Sequence, residues 1–175
     1  IGSLVPSSRY LARRMADSVD WNTVQVVIEC GPGSGAVTGA LLQRMGSERD
    51  FFAVELNQQC AAAFKQNYPD VPLYRASAAE LVEICALHGV KQVDCLVSGL
   101  PWANFSNKEQ EHLLEVCLRV LSPDGQLITF GYPHGLFLSS GKRFRRLLDS
   151  RFRKVIKSQL VWRNTPPAFV YHCRR

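Results

Sequence analysis

Two apolar periods alternate along this chain. Short runs rich in β-branched and aromatic residues recur at Val24–Glu29, Phe51–Glu55, Val71–Tyr74, Val93–Ser98 and Gln126–Tyr132. Mostly apolar runs of this length predict strands buried on both faces. Between them the apolar residues return every third or fourth position, which predicts helices. The first runs through Tyr10, Leu11, Met15 and Val19, capped by Ser7 or Ser8. The others cover Ala36–Met45, Gln58 toward Asn67, Ala79–Leu87, Ser106–Leu121 and Lys142–Leu148. Gly46 and Gly89 stop two of them, and Ser106 with Glu109 has the form of a capping box. Pro69 and Pro72 bracket one turn, and Pro123-Asp124-Gly125 forms another. Phe152–Trp162 and Ala168–Cys173, joined through Thr165-Pro166-Pro167, predict a closing antiparallel pair. Strand and helix alternate up to that hairpin, so the expected fold is one α/β domain over 1–175, a mostly parallel sheet with helices on both faces.

In such sheets ligands bind beyond the carboxyl ends of the strands. Those ends are Glu29–Gly35, Glu55, Ala76–Ala78, Ser98–Trp102 and Tyr132, so the unusual residues share one edge. The first end reads Glu29-Cys30-Gly31-Pro32-Gly33-Ser34-Gly35. Glycines at alternate positions let the backbone turn sharply and approach a ligand where a Cβ would clash. Free N–H groups at the following helix start can then face polar ligand atoms. The third glycine comes one residue earlier than in dinucleotide enzymes, and no Lys-Ser or Lys-Thr pair marks a phosphate loop. Glu55, twenty residues after Gly35, is placed to accept both hydroxyls of a ribose. A ligand-free tight turn would explain the glycines but not the acid at the tip of each strand.

Composition changes this picture little, and charge changes it more. Apolar residues make up 46% and charged residues 21%, which excludes a disordered chain. No apolar run reaches transmembrane length, and no cleavable signal is visible in a sequence that starts at Ile1 rather than at a methionine. Six scattered cysteines without a C-x-x-C pair predict small buried thiols in a reducing compartment, and no metal site. Residues 1–140 hold 10 Lys/Arg against 14 Asp/Glu, whereas residues 141–175 hold 11 against 1. This asymmetry leaves two readings open: a solvated basic face, or an anionic partner such as nucleic acid or a membrane leaflet.

Glu29, the three glycines and Glu55 resemble the first two motifs of class I S-adenosylmethionine-dependent methyltransferases. After the fourth strand, Ser98-Gly99-Leu100-Pro101-Trp102 is similar to the small-residue, proline, aromatic motif of methyltransferases acting on amine nitrogen. There a rigid proline turn offers carbonyls to the amine, and an aromatic face meets the developing positive charge. Ser98-Gly99 stands where those enzymes carry Asn or Asp. The resemblance is closest to bacterial phospholipid N-methyltransferases. It is carried by residues 2–12, 27–35, 52–57 and 98–101 and by Asn164-Thr165-Pro166-Pro167-Ala168-Phe169-Val170-Tyr171.

The resemblance implies a Rossmann-like fold with a seven-stranded sheet and an N-terminal segment, residues 1–20, whose helix covers the cofactor site. It implies successive methylation of phosphatidylethanolamine toward phosphatidylcholine, with S-adenosyl-L-homocysteine as by-product. Carried over, Gly31, Pro32, Gly33 and Gly35 contact the cofactor with Ser8 and Glu29. Glu55 and Leu56 hold its ribose side, Ser77 and Ala78 flank adenine, and Ser98, Gly99, Leu100 and Pro101 line the transfer point. Tyr132 and His134 are candidates for moving a proton, although His134 reads first as a polar loop residue. Tyr10, Trp102, Phe105 and Tyr132 are candidates for an aromatic enclosure of a methylated ammonium. Arg143, Arg145, Arg146, Arg151, Arg153 and Lys154 are candidates for holding lipid phosphates. The expected partners are a phospholipid and an anionic membrane surface, with no obligate protein partner, and the expected location is cytoplasmic, peripheral on the inner leaflet. Two other readings stay open: an adenine N6-dimethyltransferase acting on ribosomal RNA, and a cofactor-binding module without turnover.

Overall fold

A computed structural model describes residues 7–175. The Gly2–Pro6 part of the resemblance and the start of the expected covering segment lie outside the described residues. Seven strands form one sheet: β1 (Val26–Cys30), β2 (Asp50–Val54), β3 (Leu73–Tyr74), β4 (Val93–Ser98), β5 (Leu121–Gly131), β6 (Lys154–Lys157) and β7 (Phe169–Arg174). Their order is β3-β2-β1-β4-β5-β7-β6. The first five run parallel, and β7 pairs antiparallel with both β5 and β6. The helices are α1 (Arg9–Asp17), α2 (Thr38–Met45), α3 (Gln58–Asn67), α4 (Leu81–His88), α5 (Asn107–Val120) and α6 (Ser139–Arg151).

The period of two along each strand sorts the core into two layers. Ile28, Phe52, Leu96, Leu127 and Phe169 face one way, where Ile84, Leu114 and Leu148 of α4, α5 and α6 cover them. Val27, Phe51, Val97, Ile128 and Val170 face the other way, against Leu11 and Met15 of α1 and Leu41 of α2. Both faces are therefore buried, as the apolar runs require. Five of the six cysteines are buried and all six are unbridged.

Caps define the helix starts. Ser8, not Ser7, caps α1, its side chain accepting from the Leu11 N–H at 3.2 Å. The Ser106–Glu109 capping box opens α5. Gly89 takes the left-handed conformation that ends α4.

Pro123-Asp124-Gly125 departs from the expected turn between two elements. Leu121 pairs with Val93, but the next partners are Gln126 and Cys95, so Ser122–Gly125 bulge out of a continuing β5. Asp94 secures that end of the sheet, accepting from the Ser122 hydroxyl and from the Gln25 and Val26 N–H groups.

The helix expected to cover the cofactor site also departs in part. α1 lies along the sheet face against α2, β5 and β7. Its N-terminal end meets the site edge, where the Ser8 N–H donates to Asn164 Oδ1 at 2.9 Å. Two blocks far apart in sequence are thus fastened to each other.

Candidate active site

β1, β2 and β4 end side by side, and their loops build a crevice around the glycine turn. Gly31, Gly33 and Gly35 all have positive φ, at 70°, 60° and 93°. Each is required for a different reason. A Cβ on Gly35 would fall 2.2 Å from the Tyr68 ring, whose hydroxyl donates to the Gly35 carbonyl at 3.0 Å. A Cβ on Gly31 would press on the Leu100 side chain at 3.1 Å. A Cβ on Gly33 would meet nothing within 4 Å, so this glycine borders open space. Cross-strand bonds hold the turn: the Gly31 N–H donates to Val54 and the Gly99 N–H to Cys30, each at 2.8 Å.

Two carboxylates serve the turn from opposite sides. Glu29 is buried beneath it and accepts from the Thr38 hydroxyl, at the first residue of α2, at 2.6 Å. Burial, partly offset by that hydrogen bond and reinforced by the Glu55 charge, pushes its carboxyl up to about 7. Glu55 accepts from the Gly33 N–H at 3.0 Å through one oxygen and from the Asn57 N–H at 2.8 Å through the other. The next residue, Leu56, is 68% exposed. Ser77 opens the short 3-10 turn Ala78–Glu80 after β3, with Glu80 bonded back to its N–H at 2.9 Å. Open space at Gly33 and a carboxylate bonded to its N–H fit an adenosyl compound.

The segment after β4 corrects two expectations. Ser98 is fully buried, and its hydroxyl accepts from the Trp102 indole N–H at 3.0 Å and the Leu100 N–H at 3.3 Å. It shapes the loop and does not face the crevice. Trp102 is likewise buried, stacked on Phe144 of α6 at 4.7 Å between ring centroids and meeting Phe105 edge-on at 6.1 Å. Its faces are therefore packed within the core. The indole turns inward because an apolar gap between α5 and α6 accepts it and Ser98 satisfies its N–H. Gln110, also buried, donates to the Trp102 carbonyl at 2.7 Å.

What remains toward the crevice is Gly99, Leu100 and Pro101. A Cβ on Gly99 would sit 2.4 Å from the Gly31 carbonyl oxygen, so the two loops touch backbone to backbone. The Leu100 and Pro101 carbonyls accept from the Trp102 and Asn104 N–H groups. Each carbonyl keeps a second lone pair for an amine.

Past β5, Tyr132 lies edge-on to Phe130 and stacks with exposed His134 at 5.5 Å and 10° between planes. Burial pushes the Tyr132 phenol up, so at neutral pH it is protonated. Tyr10 is not in an aromatic enclosure. Its hydroxyl accepts from Arg9 and Arg163 at 2.9 Å each, and these hydrogen bonds lower its pKa.

Four of the eleven Lys and Arg residues of the basic segment have carboxylate partners among the described residues. Arg145 pairs with Asp149 at 2.8 Å, Arg151 with Glu115 at 2.9 Å and Arg153 with Asp124 at 2.8 Å. Asp124 lies in the β5 bulge, at the end of the sheet away from the crevice, so Arg153 cannot serve a ligand there. Arg143 is half-buried, and Arg146 is exposed without an ion pair among the described residues. Thr38, Tyr68 and Gln110 support the site and escaped the sequence reading. A hydroxyl three residues past the last glycine was the one available signal among them.

Residues 27–125 match the family described as Methyltransferase domain. The chain belongs to that family. This methyltransferase is 29% identical over 99% of its length to ornithine lipid N-methyltransferase from Singulisphaera acidiphila, spanning 88% of that protein. Its fold resembles the O-methyltransferase from Bacillus cereus in complex with SAH, with a TM-score of 0.73, 13% identity, and coverage of 94% and 80% of the two chains. It also resembles magnesium protoporphyrin IX methyltransferase from Synechocystis with bound SAM, with a TM-score of 0.69, 10% identity, and coverage of 94% and 76%. The methyl donor is S-adenosylmethionine.

Proposed function

We propose that this methyltransferase transfers methyl groups to the amine of a membrane aminolipid, phosphatidylethanolamine and its mono- and dimethyl forms, toward phosphatidylcholine. The carrying observation is the backbone contact of Gly99 with Gly31, which sets the carbonyls of a Gly-Leu-Pro turn against the cofactor loop. An amine held there by carbonyl acceptors is oriented by its N–H bonds, with its lone pair toward the methyl carbon. The N–C bond forms as the C–S bond breaks, and the resulting ammonium gives up its proton before the next transfer. His134 is assigned as the acceptor of that proton. The likeness to an ornithine lipid N-methyltransferase supports an aminolipid as substrate class. The pairing of Arg145, Arg151 and Arg153 with carboxylates weakens the case for an RNA substrate. A peripheral position on the cytoplasmic leaflet belongs to the same reading.

The test is incubation with labelled S-adenosylmethionine and vesicles containing phosphatidylethanolamine, followed by lipid chromatography. Label in mono-, di- and trimethylated headgroups is expected. Label confined to ornithine lipid offered in parallel would replace the substrate, and label confined to RNA would overturn the reading.

A further inference from the structure

A second cationic surface lies away from α6. A groove of about 450 Å³ runs between α1 and the segment joining β6 to β7, lined by Tyr10, Arg13, Arg14, Trp162 and Arg163 among others. Its acid, Asp17, is held by Arg44 at 2.6 Å. Neither Arg13 nor Arg14 makes an ion pair among the described residues, and both are exposed. Arg9 and Arg163 flank the Tyr10 ring at 4.9 and 5.0 Å. The groove therefore carries an excess of positive charge that no protein carboxylate offsets.

One large apolar side chain of the groove and two more at the same end of the sheet are exposed. Trp162 is 73% exposed, beside Arg163. Phe137 is 80% and Leu138 51% exposed in the segment that follows β5. Gly131 pairs with Phe169, so the segment leaving β5 and the segment entering β7 emerge at the same end of the sheet, the end that holds the crevice. An exposed Trp among arginines, with exposed Phe and Leu at the same end of the sheet, is a composition that seats a protein in the headgroup layer of an anionic bilayer. An aliphatic Leu138 offers nothing for base stacking, which favours lipid over RNA.

We infer that the Arg13, Arg14, Trp162 and Arg163 groove, with Phe137 and Leu138 at the same end of the sheet, docks this protein on an anionic lipid bilayer and brings the crevice to the headgroups. This rests on the reading that the substrate is a membrane lipid.

The experiment is co-sedimentation of the full chain with phosphatidylcholine vesicles containing or lacking phosphatidylglycerol, alongside methylation of detergent-dispersed phosphatidylethanolamine. Wild type is expected to bind the anionic vesicles, with a blue shift of tryptophan emission that Trp162→Ala abolishes. Trp162→Ala should weaken binding severalfold, and Arg13→Gln with Arg14→Gln by about fivefold per charge removed. S-adenosylmethionine affinity, measured by calorimetry, should be unchanged in every variant and serves as the folding control. Vesicle binding equal to wild type in these variants would overturn the docking surface even if lipid is methylated. So would a loss confined to RNA binding. Variants that lose vesicle binding while wild type methylates no dispersed lipid would uphold the docking surface and remove the substrate reading.

Discussion

The Glu55 carboxylate accepts a hydrogen bond from the Gly33 N–H at 3.0 Å, tying the end of β2 to the one glycine of the turn that borders open space. The contact organises the crevice before a ligand arrives, because an ionised oxygen fixes both the loop and its own direction. Its second oxygen is fixed by the Asn57 N–H. The ribose hydroxyls would meet an acceptor already aimed and already partly desolvated, which lowers the ordering cost of binding.

Glu55→Ala is therefore expected to weaken S-adenosylmethionine binding at least about tenfold, since hydrogen bonds to charged groups contribute about 1.5–3 kcal/mol. Isothermal calorimetry checks this, and an unchanged affinity would remove the ribose assignment.

The glycines separate structural from ligand-facing roles. Gly99→Ala places a Cβ 2.4 Å from the Gly31 carbonyl oxygen and should lower stability by about 1–3 kcal/mol through forced backbone movement. Gly33→Ala meets no atom but keeps a positive φ, so it should cost about 1–2 kcal/mol in stability and abolish cofactor binding. Thermal melts and calorimetry on both variants distinguish the two effects.

Ser98→Ala tests the loop support. Removing the hydroxyl leaves the buried Trp102 indole N–H without its acceptor, at a cost of about 1–3 kcal/mol. Turnover should fall as Leu100 and Pro101 shift, while cofactor affinity changes little. Denaturant unfolding together with kcat measurement checks both halves.

Glu29 sets a pH dependence of stability. Its ordinary value is 4.5 and its folded value about 7, so between these the folded protein holds a proton that the unfolded chain has released. Stability then falls as pH rises from about 4.5 to 7, by roughly 3 kcal/mol in all, and is level above that range. Glu29→Gln keeps an acceptor for Thr38 and should remove this slope, leaving the variant more stable than wild type at pH 8. Urea unfolding across pH 4.5–8 reads it directly.

His134→Ala should reduce kcat about tenfold or more with S-adenosylmethionine affinity unchanged. An unaltered kcat would move the proton acceptor elsewhere.

The sequence by itself determined the strand ends, the glycine turn and its two acids, the α5 capping box and the closing antiparallel pair, because these depend on residues within a few positions of one another. Period, turn chemistry and capping are local properties, and the parallel order follows from alternating strands and helices. Tertiary structure alone decided the rest. Trp102 is internal because α6, some forty residues on, supplies Phe144 as its stacking partner. The basic segment reads as a continuous cationic patch, yet Glu115 and Asp124 from distant elements pair with two of its arginines. Trp162 reads as part of a strand, yet it lies beyond β6 with most of its surface in water. Which side chains meet across distant elements is set by how the layers close, and no pattern of neighbours along the chain encodes that directly.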